Sequence, residues 1–135
     1  MSYFYIASPY SASMKDGSNP SHKCMCARAE LVSLYAAWCL SVGDVVFSPI
    51  AHGHYLQTLY NLPKTWEFWW EIDRSYLERA EGLRVYQMDG WDRSVGVQEE
   101  IQFSMEKGMP VTYVVPQSIH YENADVRIRN LVHLC

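Results

Sequence analysis

Residues 89–101 read DGWDRSVGVQEEI. Just before them, Leu83 to Met88, LRVYQM, has the length and composition of a buried strand. Asp89, Gly90 and Asp92 are turn formers, Ser94 is a helix cap, and Val97, Ile101 and Met105 then recur at helical spacing. A strand, a turn and an amphipathic helix in this order begin a parallel crossover, which Pro110 to Val115, PVTYVV, completes as a further strand.

The upstream sequence repeats this plan. Ser2 to Ala7, SYFYIA, reads as a first strand stopped by Ser8-Pro9, and a polar loop from Ser8 to Pro20 leads to Ser21, an N-cap. Met25, Ala29, Val32, Ala36 and Cys39 follow at helical spacing, and Gly43 ends the run. Asp44 to Ser48, DVVFS, is a second short strand cut off by Pro49. From Tyr55 to Trp70 the chain is dense in Tyr, Trp, Leu and Phe and is interrupted by Pro63, which reads as a lid, as short helices, or as plain core packing. Trp66 to Ala80 is helical in pattern, with Trp69, Ile72, Tyr76 and Ala80 on one stripe and Glu67, Glu71, Arg74 and Glu78 opposite. This alternation predicts one domain, residues 1–135, of α/β class, with a doubly wound, mostly parallel sheet and helices on both faces. Ligands bind such sheets at the carboxyl ends of the strands, so the loops after Ala7, Ser48 and Met88 are expected to share one crevice. The run Val126 to Leu134 is amphipathic and suited to cover a sheet edge or a partner subunit.

With 49% of its residues apolar and 14% aromatic, the chain can bury a real core. A formal charge of −4 without a Lys/Arg cluster argues against a nucleic acid polymer as partner and leaves room for a small nucleotide. No apolar window is long enough to span a membrane and no secretory leader is evident, so a cytoplasmic protein is expected. Cys24, Cys26, Cys39 and Cys135 do not make a dense disulfide framework, and reduced thiols are expected. Cys24-x-Cys26 lacks a second ligand pair, so neither a metal nor any other cofactor is expected.

Helical geometry separates the adjacent acids of the central turn. Glu100 lies about 60° from Val97, at the lip of the buried face, whereas Glu99 points outward. Asp73 falls on the apolar stripe of its own helix, where a carboxylate needs a cap, a partner or a cavity. Asp73 and Glu100 are therefore candidates to face one crevice from two helices, as a glycosidic pair, a Mg²⁺ site or a hydrogen-bonded couple. Ser94 and Gly96 open the helix as an anion cradle, or else Ser94 only caps and Gly96 only relieves packing. Tyr10 and Ser11 in the first loop, His52 and His54 after the second strand, Arg28 near the start of the first long helix, and Trp91 in the turn are further candidate contacts. Each has a plainer reading: Tyr10 and Ser11 as loop packing, Arg28 as a surface ion pair, Trp91 as a plug.

Tyr5-Ile6-Ala7-Ser8-Pro9-Tyr10, Ser48-Pro49 with His52, Asp73 ahead of Glu81, Gly90-Trp91, and Ser94-x-Gly96-Val97-x-x-Glu100 together resemble the nucleoside 2-deoxyribosyltransferase-like superfamily. Within it the chain is most similar to a small bacterial and phage family and is similar to the deoxynucleoside 5′-monophosphate N-glycosidases. The resemblance implies a flavodoxin-like (Rossmann-like) sheet of four to five strands and hydrolysis or transfer at the N-glycosidic bond of a (deoxy)nucleoside or its 5′-monophosphate. It implies Glu100 as nucleophile, Asp73 as the acid assisting the base, Ser94 as a phosphate contact, and a homo-oligomer. A non-catalytic nucleotide-binding module and a structural or interaction protein are the alternatives.

Overall fold

The computed structural model describes residues 2–122, 124 and 125. Strands β1 (Phe4–Ala7), β2 (Val46–Phe47), β3 (Gly82–Tyr86) and β4 (Val111–Val114) pair in parallel in the order β2-β1-β3-β4. Helices α1 (His22–Ser41), α2 (Pro49–Tyr60), α3 (Trp66–Leu77) and α4 (Val95–Glu106) lie between them. This is the strand order of a flavodoxin-like doubly wound sheet, whose switch point falls between β1 and β3.

Strand alternation assigns the two faces. Tyr5 and Ala7 of β1, with Leu83 and Val85 of β3, pack against Leu77 of α3 and Val97 and Ile101 of α4. Ile6 and Tyr86 point the other way, onto Leu31, Val32, Tyr35 and Cys39 of α1. Tyr35 stacks on Tyr86 at 4.1 Å between ring centres, and the Tyr86 hydroxyl meets His120 Nδ1 (2.9 Å) and the Tyr121 hydroxyl (2.6 Å), tying the 3₁₀ turn Ser118–Tyr121 to this face.

Local signals explain the boundaries. The Ser21 hydroxyl accepts the Cys24 N–H at the start of α1, and Gly43, at φ 95°, turns the chain one residue beyond the C-cap Val42. Pro49 does not merely end β2: with Ser48 as N-cap, accepting from the Ala51 N–H, it opens α2. The aromatic segment is thus two helices, not a lid, and α2 ends at left-handed Asn61 before Pro63. Two expectations need correction. α3 stops at Leu77 rather than Ala80, and Leu77 is its fully buried residue, whereas Tyr76 stays 38% exposed while stacking on Phe47. β2 is only Val46–Phe47, shorter than Asp44–Ser48, because Asp44 turns to Arg84 at 3.1 Å.

Cys26 and Cys39 carry free thiols, but Cys24 is disulfide-bonded, which corrects the expectation of reduced thiols there. Among the described residues no helix is long and apolar enough to cross a membrane. The Val126–Leu134 run lies outside the described residues.

Candidate functional site

At the carboxyl end of β1 the last inward side chains of the strand are Tyr5 and Ala7, both fully buried toward α4. A buried tyrosine hydroxyl requires a partner, and here it donates to Glu100 Oε2 of α4. Glu100 is 6% exposed, whereas Glu99 is exposed, as the helical phase requires. From α3, Asp73 sits one turn before buried Leu77, and its charge acts on both Glu100 and Tyr5. Asp73 Oδ1 is enclosed without a hydrogen-bond partner among the described residues.

Burial sets the electrostatics. Loss of solvation pushes the Glu100 carboxyl up to about 8, with the Tyr5 hydrogen bond opposing and the Asp73 charge adding to the rise. Desolvation likewise pushes Asp73 up to about 7. The Tyr5 hydroxyl is raised well above 10 by burial and by the Glu100 charge, so it remains a donor. Both acids thus hold their protons far above the usual carboxylate range, the Asp73 charge adding to the rise at Glu100 while the Tyr5 donor opposes it.

At the start of α4 the Ser94 hydroxyl accepts the Val97 N–H at 3.1 Å, so Ser94 caps the helix and its own O–H stays available to donate. A Cβ on Gly96 would stand 3.6 Å from the Trp66 ring and 3.8 Å from Ser94 Oγ, so Trp66 overhangs the first turn. Ser8 Oγ, just past β1, is buried without a partner among the described residues.

The other candidates are dispersed. The Tyr10 hydroxyl pairs with His54 Nδ1 at 2.7 Å, and the two rings meet edge to face. Ser11 is exposed. His52 is exposed with its ring against Phe47 and Tyr76, so of the two histidines it is buried His54 that engages the first loop. Trp91 packs edge-on to Tyr113 and against the α4-side core, the position of a plug. Arg28 is not a surface ion pair: only 2% exposed, it donates through Nη1 to the carbonyls of Tyr10 (2.9 Å) and Ala12 (2.7 Å). Its Nη2 lies 3.1 Å from where a Gly90 Cβ would stand, so the guanidinium clasps the first loop to the central turn. Asp89 pairs with Arg93 at 3.2 Å and Lys15 at 3.8 Å, and Arg93 Nε donates to the Ser13 carbonyl, adding a second clasp.

Two participants were not read from sequence as site residues. Sequence pattern alone reads Tyr5 as a strand core residue, although a phenol in a buried strand signals a buried acceptor; it reads Trp66 as the overlap of the aromatic segment with the start of the Trp66–Ala80 helix, without a site role. A groove lined by Gln98, Ile101, Gln102, Met105 and Glu106 does not include Glu100 and lacks converging acids or bases. Among the described residues no three His, Cys, Asp or Glu side chains are grouped to hold a metal.

The model of a family described as "Domain of unknown function (DUF1937)" matches residues 2–115. The chain belongs to that family. The matched span of this DUF1937 member runs from just before β1 to just past β4, and so contains Tyr5, Asp73, Ser94 and Glu100. No curated protein matches the chain.

Proposed function

We propose that this DUF1937 member cleaves or exchanges the N-glycosidic bond of a (deoxy)nucleoside 5′-monophosphate or nucleoside. The observation that carries the reading is the buried Glu100 carboxyl, held by the Tyr5 hydroxyl and facing the charge of Asp73. Substitution at an anomeric carbon uses such a pair: one carboxylate attacks, and one acid supplies a proton to the departing group. In the proposed sequence Glu100 bonds to C1′ as the C1′–N bond breaks, and Asp73 delivers its proton to the base. Water, or a second base, then attacks C1′ as its proton passes to the Asp73 carboxylate, and the C1′–O bond to Glu100 breaks, freeing the Glu100 carboxylate. Ser94 O–H and the first-turn N–H groups of α4 are suited to receive a 5′-phosphate. The reading also carries the expectation of a homo-oligomer.

Incubation with a panel of nucleoside and deoxynucleoside 5′-monophosphates, followed by chromatography for free base, tests this. Base release that disappears in Glu100→Gln is the expected result; no release at high enzyme, or undiminished release by the variant, sinks the proposal. One observation favours a second reading. Burial holds Glu100 up to about 8, so near neutrality the carboxyl is largely protonated, the state of a neutral binding group rather than of a nucleophile. A nucleotide that raises the melting temperature and is recovered intact identifies a binding module instead.

A further inference from the structure

We propose that Trp66 is the platform on which the base of the ligand stacks, an inference that rests on the reading of the crevice as a nucleotide site. Trp66 and Asp73 are seven residues apart on α3, two turns, and so share one face of that helix; Gly96 and Glu100 are one turn apart on α4. These faces meet, because the Trp66 ring lies 3.6 Å from where a Gly96 Cβ would be and Asp73 acts on the Glu100 carboxyl. On α4 the position that the ring overhangs lies four residues, about 6 Å of helix, before Glu100, so a flat group on the ring would sit on the same wall as that carboxyl.

The indole is built for one-sided stacking. Trp70 covers it in nearly parallel fashion, with ring centres 5.1 Å apart and planes 13° apart, and Trp70 is itself buttressed edge-on by Phe103 of α4. Even so, Trp66 remains 41% exposed. A rigid, backed aromatic ring left partly open beside a glycine accepts any flat base and discriminates by ring area, so a two-ring base gains more than a one-ring base. The N–H groups of the first turn point along the helix axis and the indole lies to its side, so a phosphate and a base attached to one sugar need not compete.

The test titrates the whole chain carrying Glu100→Gln, so that nothing is consumed, with 2′-deoxyadenosine 5′-monophosphate, 2′-deoxycytidine 5′-monophosphate and base-free 2-deoxyribose 5-phosphate. Adding Trp66→Leu, which keeps an apolar cover on Trp70, weakens the adenine nucleotide by about tenfold or more, weakens the cytosine nucleotide less, and leaves the sugar phosphate within about twofold. Trp66→Phe retains most of the affinity, and melting temperatures show both variants folded. Unchanged nucleotide affinity in Trp66→Leu overturns the proposal; so does an equal loss for the sugar phosphate, which assigns the ring to the sugar or phosphate. If nucleotides bind with this pattern but the Glu100-intact protein releases no base, only the catalytic reading fails. If no nucleotide binds at all, both fail.

Discussion

The Tyr5 hydroxyl on β1 donates to Glu100 Oε2 on α4, joining residues 95 positions apart inside the core. The bond favours the charged carboxylate, so Tyr5→Phe raises the Glu100 pKa further. A hydrogen bond to a charged group contributes about 1.5–3 kcal/mol, so on the proposed reading base release slows by about 10- to 100-fold. The rising limb of the pH–rate profile shifts to higher pH, and a profile unmoved by Tyr5→Phe removes Tyr5 from the mechanism.

The acid pair makes stability depend on pH with a defined sign. Glu100 moves from its ordinary 4.5 up to about 8 and Asp73 from 3.8 up to about 7, so the folded state holds protons that the unfolded chain has released. Their stabilisation is complete below the unfolded values and is lost as pH rises from about 4 through about 8. Thermal unfolding between pH 5 and 9 shows the loss, and Glu100→Gln flattens it; the variant is the more stable protein at pH 8 by several kcal/mol, at about 1.4 kcal/mol per pKa unit. Parallel curves for the two proteins contradict a Glu100 whose burial outweighs its Tyr5 hydrogen bond.

Asp73→Asn separates the two acids. Removing the Asp73 charge lets Glu100 ionise at lower pH, because that charge adds to the Glu100 rise. On the proposed reading it also removes the proton donor to the base, which is worth about 10²–10⁴ in rate. A pH–rate profile that loses its alkaline limb, with kcat reduced and the acidic limb moved down, is the expected signature.

Two glycines of the central turn respond in opposite ways to alanine. At Gly96 a Cβ meets Trp66 and Ser94 at ordinary contact distances, so Gly96→Ala stabilises the helix by about 0.5–1 kcal/mol while narrowing the ligand approach. At Gly90, φ is 99° and a Cβ comes 3.1 Å from Arg28 Nη2, so Gly90→Ala loses at least about 1–2 kcal/mol. Melting curves and nucleotide titrations of the two variants distinguish stiffening of the site from unlatching of the first loop.

Local patterns made much of this legible. The 3.6-residue phase placed Glu100 inward and Glu99 outward, and placed Asp73 against its neighbours' apolar stripe; both hold in the structure. Patterns failed where one residue serves two local roles. Pro49 reads equally as the end of a strand and as the first residue of a helix, and choosing the first hid α2 and with it the orientation of His52 and His54. Arg28 resembled a surface cation because a helix start is usually solvated, yet the first loop folds back and encloses it.

The sequence by itself determined the alternation of strands and helices, the parallel sheet, and which of two adjacent acids turns inward, because strand and helix periods are properties of short segments. Only the tertiary structure decided that the inward acid meets Tyr5 rather than another strand residue, that the Asp73 charge comes from α3 to act on it, and that Trp66 overhangs Gly96. Those pairings depend on how α3 and α4 pack across β1 and β3, where register between distant segments is set by the packing of the whole core.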